Sequence, residues 1–479
     1  MAFAGFGIEW LNNYMKSYPT GIIVQDIIYE TKLLDTLKDI IEKGPHKGDY
    51  AEILMKLGST ATAKAHYEDA DIPLGQRVSF VKMLVPFKEM IANAAVTMQA
   101  RMAVTGDDRS WGNIVELAIK DLKADMSYLA NLAAIGDGTA ALARVVSKSG
   151  TGTERVLTCD NTYSDFGWEN TSLLRPNMLV DVYTAAGVLC ISGGQVTAVA
   201  PGKRVQTGGW LATTGAVTVV GTWAVEPDDN GLVYVHGSRI PIGGDYWTVT
   251  GRGLPMGLKG IVSDGLAGGG TGTYGPAKFQ NLVRSSPYKA LWGRMYAAAP
   301  PAGNTWVVGF GVASETPAYG TPTLWDLSVI DSVITDIKLG DGNGKPDTIL
   351  CHTELAAALG RKTKDHNNVV VNVRTTDAQL PAADVRIPAV YRDPDGDSLK
   401  IITSGTIPKW CMYLLSSDDL MWVSPEGGAF DFLRETGDIW EIERGSRKTH
   451  FEAPYYGCYQ LAARRCDNCA VIMDMRTDA

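Results

Sequence analysis

Two cysteines near the end of the chain have a spacing that could bind a metal ion or form a disulfide. Cys466 and Cys469 make a CxxC pair, and Cys458 precedes it. Zinc needs four ligands of matching geometry, and only distant histidines such as His450 could complete the set. A redox pair would begin a helix, whereas the apolar run 470–473 has the composition of a final strand. The pattern favours ordinary reduced thiols over a zinc or redox site.

A second group has part of the spacing of a calcium-binding loop. It consists of Asp393, Asp395 and Asp397 with Gly396. It lacks the glycine that would follow the third aspartate and the closing glutamate of an EF-hand. Aspartate and glycine also share ordinary turns, so an acidic turn is the favoured interpretation.

The stretch Gly270–Gly275 matches the dinucleotide-binding pattern GxGxxG. Pro276 follows it directly, and no acidic residue lies about twenty positions later, as that pattern requires. A flexible connector is the better interpretation.

Other catalytic patterns are missing from the sequence. It contains no GxxxxGK[ST], HExxH or GxSxG, and its six histidines are scattered. We therefore predict no enzyme activity, no cofactor and no metal ion.

Length and charge limit the classes of protein that the chain could be. Its 479 residues indicate several structural parts. Its net charge of −9 argues against a large surface that binds DNA phosphates. No apolar run approaches the roughly 18 residues of a membrane span, and the first residues lack a secretory signal. Seven cysteines fit a reducing compartment. We expect a soluble, acidic protein made in a cytoplasm.

Three stretches, 21–43, 108–134 and 324–339, have the apolar spacing of amphipathic helices. The second is the clearest, and Gly136 and Gly138 are expected to end it, as Gly340 ends the third. The apolar stripe of the second helix includes Trp111, Val115, Leu122 and Met126.

Residues 59–85 predict a long polar hairpin. Its two extended runs, 61–70 and 77–85, surround a Pro-Gly turn. Such a hairpin is marginal alone in water and needs another surface to lie on. The polar side chains that we expect to serve assembly are Lys64, His66, Glu68, Asp69, Arg77 and Lys82.

Glycine is concentrated in 187–275, which holds 22 of the 52 glycines of the chain. Short apolar runs such as 178–183, 216–220 and 232–235 are bounded there by turn residues, which is typical of short strands. This composition predicts a separate β-rich section.

The order of an arm, a polar hairpin, one long helix and then β-rich and α/β sections resembles the major capsid protein of tailed bacteriophages. This is the Hong Kong 97 fold, which encapsulin shells share. The resemblance runs through most of the chain, and its C-terminal third fits best. The segments that carry it are VSFVKMLVPFKEMIANAAVTMQARM at 78–102, FQNLVRSSPYKALWGRMY at 279–296, TLWDLSVIDSVITDIKLGDGNGKPDTILCHTELAAAL at 323–359 and DSLKIITSGTIPKWCMYLLSSDDLMWV at 397–423.

The resemblance implies an α+β fold with an N-terminal arm, an extended loop, a spine helix, peripheral and axial domains, and a β-rich insertion. No local signature identifies the residues of the crosslink that some relatives form. The implied parts are 1–58 (arm and first helix), 59–105 (extended loop and return), 106–158 (spine helix and peripheral domain), 159–262 (β-rich insertion), 263–322 (return to the peripheral domain), 323–436 (axial domain, in which 397–423 supplies a strand pair) and 437–479 (C-terminal strands).

The function that the resemblance implies is structural. Copies of the chain would assemble as pentamers and hexamers into an icosahedral head that encloses double-stranded DNA without reading its sequence. Separate scaffolding, portal and decoration proteins are the expected partners. The protein would be made in the host bacterial cytoplasm and reside in the virion, with no membrane partner.

Three alternatives remain open at this point. An encapsulin-like compartment shell has the same core, although the β-rich insertion favours a viral coat. An α/β enzyme could use the Gly-rich loop 260–275. A β-rich tail or adhesin module would suit the Gly-rich section but not the three long helices.

Overall fold

A computed structural model describes most of the chain between residues 37 and 475. The described residues are 37, 41–46, 50–57, 79–97, 114–159, 171, 173–200, 204–206, 210–212, 215–239, 246–247, 253–263, 278–284, 286–297, 325–340, 344–366, 390–393, 395–425, 430–432, 441–442, 450–473 and 475. They form a mixed structure that is rich in strands.

The described residues include the helices α1 (Ile114–Ile135), α2 (Leu258–Val262), α3 (Leu327–Leu339) and α4 (Thr353–His366). The strands described in the first half of the chain are β1 (Glu42–His46), β2 (Tyr50–Leu57), β3 (Ser79–Pro86), β4 (Lys88–Thr97), β5 (Ala141–Ser149), β6 (Glu154–Cys159), β7 (Leu179–Tyr183), β8 (Leu189–Ala200), β9 (Arg204–Gln206), β10 (Trp210–Ala212), β11 (Gly215–Val220) and β12 (Leu232–Val235). Those of the second half are β13 (Lys278–Phe279), β14 (Leu282–Val283), β15 (Arg294–Ala297), β16 (Thr348–Cys351), β17 (Val390–Arg392), β18 (Ser398–Thr403), β19 (Met412–Leu415), β20 (Leu420–Pro425), β21 (Phe430–Phe432), β22 (Glu441–Ile442), β23 (His450–Ala463) and β24 (Ala470–Met473).

The first sheet, which we call the peripheral sheet, is built around the long strand β23. Its order is β1-β20-β23-β21, and β4 and β22 also pair with β23. Helix α1 packs on one face, where Leu122 meets Ala94, Phe432 and Ala453. The helix therefore gives this sheet one buried face.

The second sheet, which we call the axial sheet, has the order β15-β24-β19-β16-β18-β17. The apolar stripe of α3 is buried in its core through Leu327, Ile330, Ile334 and Ile337. Asp326 caps the start of α3, because its carboxylate accepts the Leu327 N–H. Gly340 follows the last residue of α3, as the sequence predicted.

A closed six-stranded barrel follows α1, in the order β11-β6-β5-β12-β7-β8. Its interior is filled by aliphatic side chains such as Leu157, Val180 and Val217, all wholly buried. Because side chains fill it, the barrel is a packed core and not a ligand cavity.

The boundaries of this barrel differ from those expected for the β-rich insertion. The barrel strands run from Ala141 to Val235, whereas the sequence placed the insertion at 159–262. Strands β5 and β6 pair with β12 and β11, far along the chain. Such distant pairing leaves no local signal. The glycine content marked only 187–275, and the boundaries 159–262 came from the family resemblance.

Two other expectations need correction. Residues 42 and 43 belong to strand β1, which pairs in parallel with β20, and so the first helix does not reach 43. The strands of 397–423 do not form a pair, because β16 lies between β18 and β19, and β20 belongs to the peripheral sheet. In both cases the partner strand is distant in sequence and invisible to local patterns.

The long helix predicted over 108–134 is present as α1, which is described from Ile114. Within the described part of the chain, no helix is both long enough and apolar enough to cross a membrane.

Candidate assembly surface

Strands β2 and β3 form a pair, which we call the hairpin base, and only β3 overlaps the stretch 59–85 that the sequence predicted as a hairpin. They pair antiparallel, from Tyr50 opposite Pro86 to Leu57 opposite Ser79. The first strand therefore begins before residue 59, in the part assigned to the arm. The run 61–70 lies outside the described residues, as do these predicted assembly residues: Lys64, His66, Glu68, Asp69 and Arg77.

One face of the β2–β3 pair is buried within the chain. Ala51 and Val85 pack with Val423 and Ala462 on the peripheral sheet. Met83 also belongs to the main apolar core. Alternation along the strands sends every second side chain to this face, so the hairpin base is firmly attached.

The opposite face, which we call the hairpin outer face, consists of Tyr50, Glu52, Leu54, Lys56, Phe80 and Lys82. Tyr50 is 50% exposed, Leu54 64% and Phe80 62%. Large apolar side chains are thus grouped on two paired strands, which is a typical mark of an interaction site.

Lys82 lies on this outer face and is the one residue of the predicted assembly set that the structure describes. Its Nζ donates to Glu52 Oε2 at 2.8 Å, and both side chains are exposed. This hydrogen bond raises the pKa of Lys82 above its ordinary value. The ion pair bridges β2 and β3 and leaves the neighbouring apolar side chains uncovered.

A buried polar network anchors the chain just beyond the hairpin. Lys88 is completely buried, and its Nζ donates to the carbonyl of Tyr246 at 2.8 Å. Gln460 Nε2 donates to the Tyr246 hydroxyl at 3.1 Å, and its Oε1 accepts the backbone N–H of Met256 at 3.2 Å. Burial raises the pKa of the Tyr246 hydroxyl well above its ordinary value, so this hydroxyl stays neutral. The hairpin base is therefore fixed to β4, to β23 and to the segment that follows the barrel.

Helix α1 presents its apolar stripe to the core. Leu122 and Met126 are buried. The Tyr459 hydroxyl donates to the Ala130 carbonyl at 3.0 Å and ties α1 to β23. The side chains of Trp111 and Val115, also expected on this stripe, lie outside the described residues.

The peripheral sheet has a second face, opposite α1, which we call the open sheet face. Ile91 lies opposite Tyr456, and Tyr456 lies opposite Asp431, so the three side chains form a row across the sheet. Ile91 is 63% exposed. Glu89, two positions before Ile91, is exposed on the same face, which is therefore apolar with an acidic border.

The acidic turn is occupied by a lysine. Lys338 Nζ, at the end of α3, donates to Asp393 Oδ2, to Asp395 at 2.9 Å and to Asp397 at 2.8 Å. The hydrogen bond from Lys338 lowers the pKa of Asp397. The favoured interpretation as an acidic turn agrees with this geometry, and the ammonium takes the place that a metal ion would need.

The cysteine pair lies at the junction of β23 and β24. Cys466 and Cys469 are free thiols and are wholly buried. Across the described part of the chain, no group of three or more His, Cys, Asp or Glu side chains could hold a metal ion. The stretch Gly270–Gly275 lies outside the described residues.

The sequence analysis missed the apolar members of the hairpin outer face. Tyr50, Leu54 and Phe80 are spaced at even intervals from charged neighbours on the same face. The available signal was the alternation in Tyr50–Leu57, where small or aliphatic residues occupy every second position. That signal predicts a strand with one buried face but not which distant strand pairs with it.

Comparison with known proteins gives matches at the level of structure. No protein-family model matches the chain, and no curated protein matches it. The cyanophage A-1(L) capsid asymmetric unit has 12% identity and a TM-score of 0.46, over 96% of each chain. The capsid of a native GTA particle has 10% identity and a TM-score of 0.41, over 98% of this chain and 99% of that chain. The holo-SrpI encapsulin from Synechococcus elongatus has 10% identity and a TM-score of 0.40, over 98% of this chain and 96% of that chain.

Proposed function

We propose that the chain is the major capsid protein of a tailed phage, a structural subunit whose copies assemble into a closed shell. The observation that carries this proposal is the hairpin outer face. Its three large apolar side chains, Tyr50, Leu54 and Phe80, are half or more exposed although the strands that bear them are firmly anchored. A rigid apolar surface of this kind is stabilised when a second molecule covers it.

Charge supports a second copy of the chain as the molecule that covers the hairpin. The outer face carries Lys56 and Lys82 with Glu52, whereas the open sheet face carries Glu89 and Asp431 around Ile91. A basic apolar surface and an acidic apolar surface on the same chain are complementary. Since the two surfaces differ, the contact is heterologous and closes by rotation into rings.

The remaining parts of the proposal follow from a shell of such rings. Pentamers and hexamers enclose double-stranded DNA, and the net charge of −9 keeps the wall from holding phosphates. Scaffolding, portal and decoration proteins are separate partners, and synthesis takes place in the host cytoplasm. The β-rich insertion, with the barrel as its described part, is an addition to this shell-forming body.

The test is assembly of the purified full chain, followed by light scattering and negative-stain electron microscopy. We expect closed particles, and we expect Leu54→Ser with Phe80→Ser to remove them. Fully burying each such side chain is worth about 1.5–3 kcal/mol. Losing two should therefore weaken each contact by roughly a hundredfold or more. Val188→Ser with Val225→Ser, on exposed apolar residues of the barrel section, is the matched control and should still assemble.

A charge exchange locates the partner surface. Lys56→Glu and Glu89→Lys should each reduce assembly, and the double variant should restore it. A chain that stays monomeric under every condition contradicts the shell proposal, while shells without this rescue contradict only the paired surfaces. Nucleic acid inside particles made with neighbouring genes supports a coat, and protein cargo supports an encapsulin-like compartment.

A further inference from the structure

The segment that joins β23 to β24 is a tight turn with a cysteine at each end. The Cys469 N–H donates to the Cys466 carbonyl at 3.0 Å, which makes Cys466-Asp467-Asn468-Cys469 a hydrogen-bonded β-turn. The first and fourth Cα atoms of a β-turn lie within about 7 Å of each other. A disulfide requires Cα atoms about 4.4–6.8 Å apart, so the backbone already meets the main distance condition.

The same turn connects the peripheral sheet to the axial sheet. Strand β23 is central to the peripheral sheet, and β24 pairs with β15 and β19 in the axial sheet. The N–H of Cys466 donates to the Ala290 carbonyl at 2.6 Å, and Arg294 Nε donates to the Asp467 carbonyl at 2.7 Å. A covalent bond across the turn would therefore act where the two sheets are held together.

The surroundings explain why the thiols are stable while the turn is closed. Burial raises the pKa of Cys466 to about 12, and the Arg284 guanidinium opposes this effect only in part. Burial raises the pKa of Cys469 as well, and the nearby Cys466 adds to it. Only the thiolate form of a cysteine reacts, and a raised pKa makes this form scarce. A raised pKa also makes the remaining thiolate more nucleophilic, but the loss of thiolate is the larger effect. The net result is a rate of disulfide exchange that is lower by roughly a hundredfold.

We propose that Cys466 and Cys469 are a modification site, an oxidisable pair that forms an intrachain disulfide by exchange with a small-molecule disulfide when the turn opens. The Cys466 thiolate attacks one sulfur of oxidised glutathione, forms a mixed disulfide and releases one glutathione thiolate. The Cys469 thiolate then attacks the Cys466 sulfur, closes the bond and releases the second glutathione. Two electrons pass to glutathione, and the two cysteine protons end on the released thiols.

Cys466 is the attacking thiol because the positive charge of Arg284 stabilises its thiolate. The closed ring spans only four residues, so its entropic effect on global unfolding is small. Its main effect is local, because the turn can no longer open to release β24 from β23. This inference concerns the single chain and does not depend on shell formation.

The experiment uses the full chain, oxidised glutathione and peptide mass spectrometry after alkylation of the remaining thiols. Trypsin cleaves after Arg465 and Arg476, so both cysteines fall in one peptide, CDNCAVIMDMR. We expect this peptide to become two hydrogen atoms lighter and to resist alkylation after refolding from guanidinium in a glutathione buffer. In the folded chain the same change should be at least about a hundredfold slower.

Two variants and two internal controls make the result decisive. In the folded chain, where Arg284 lies near Cys466, Cys469→Ser should stop at the glutathione adduct on Cys466, whereas Cys466→Ser should accumulate little adduct on Cys469. Cys351 and Cys411, in the same digest, should remain unpaired thiols. The inference is overturned if Cys466 or Cys469 pairs with Cys411 or Cys458, if both carry separate glutathione adducts, or if the oxidised chain does not refold. Hydrogen exchange provides an independent readout, since the Cys469 amide should exchange more slowly after oxidation.

Discussion

Lys338 is the residue that allows three aspartates to share one turn. Asp393, Asp395 and Asp397 all accept hydrogen bonds from its Nζ. The Asp393 side chain is wholly buried, so the turn depends on a nearby positive charge. The carboxylates repel one another without it.

Replacing Lys338 by Met tests this dependence. The hydrogen bond from Lys338 lowers the pKa of Asp397. A carboxyl group whose pKa is lower in the folded state than in the unfolded state stabilises the fold at every pH above its unfolded-state pKa. This stabilisation is lost as the pH falls through the folded-state pKa. We expect Lys338→Met to lower Tm at pH 7 by roughly 2–6 °C. The deficit should shrink as the pH falls toward about 4, because protonation relieves the repulsion of the unpaired carboxylates.

The measurement is thermal unfolding between pH 4 and 8, with Lys400→Met as the control. Lys400 is exposed on β18 and lies close to the turn in sequence. The Lys400→Met variant should therefore show the same dependence of Tm on pH as the native chain. If the two variants lower Tm equally at every pH, Lys338 has no special role in the turn.

This turn also shows what sequence patterns can and cannot predict at the scale of residues. The incomplete calcium pattern predicted a turn without a metal ion. The lysine that occupies it lies more than fifty positions earlier in the chain, on α3. No local spacing connects the two, so the cation could be found only after the fold brought α3 to the loop.

Helix α1 and the hairpin are the elements on which the proposed shell depends, and they were predicted unequally well. The apolar side chains of α1 recur with helical spacing over a long stretch, and the glycine predicted to end α3 follows its last residue. Predicting the outer face of the hairpin requires knowing that β2 pairs with β3, although residues 58–78 separate them in the sequence. The periodicity of either strand alone does not give this pairing. Elements stabilised by local contacts were therefore predicted more closely than those formed by distant pairing.

Substituting Leu122 by Asp tests the attachment of α1 to the peripheral sheet. Leu122 contacts a cluster formed by Ala94, Phe432 and Ala453. A carboxylate there would be buried among apolar groups without a partner, so we expect loss of the fold or destabilisation by more than about 3 kcal/mol.

The graded variant Leu122→Ala should cost about 2–5 kcal/mol, and chemical denaturation measures both. Lys120→Asp on the exposed side of α1 is the control and should remain folded. If Leu122→Asp unfolds at the same denaturant concentration as the native chain, α1 does not depend on this contact.

At the scale of the whole molecule, the barrel is attached to the rest of the chain by neighbouring strands. The Val235 N–H donates to the Ala140 carbonyl at 3.1 Å, and Tyr234 lies opposite Ala141. The entry and exit of the barrel are therefore as close as two paired residues. An insertion with adjacent ends can be removed without stretching the body that carries it.

We predict that the chain folds and assembles without the barrel. Replacing 142–233 with Asn-Gly joins Ala141 to Tyr234 through a two-residue turn of the type that paired strands favour. The excision uncovers Tyr128 and Leu132 on α1, which pack in the barrel core, so both are changed to Gln in the same variant. Circular dichroism should then show a folded chain, and electron microscopy should show closed particles.

The complementary deletion removes 58–78, the residues between β2 and β3 in the sequence, and joins the two strands with the same turn. It keeps the buried face of Ala51 and Val85, so the chain should stay folded while particles become fewer or fail to close. Particles from the barrel deletion but not from the hairpin deletion would identify the hairpin as the assembling element and the barrel as an addition. The reverse result would assign shell formation to the barrel and contradict the function proposed for the hairpin outer face.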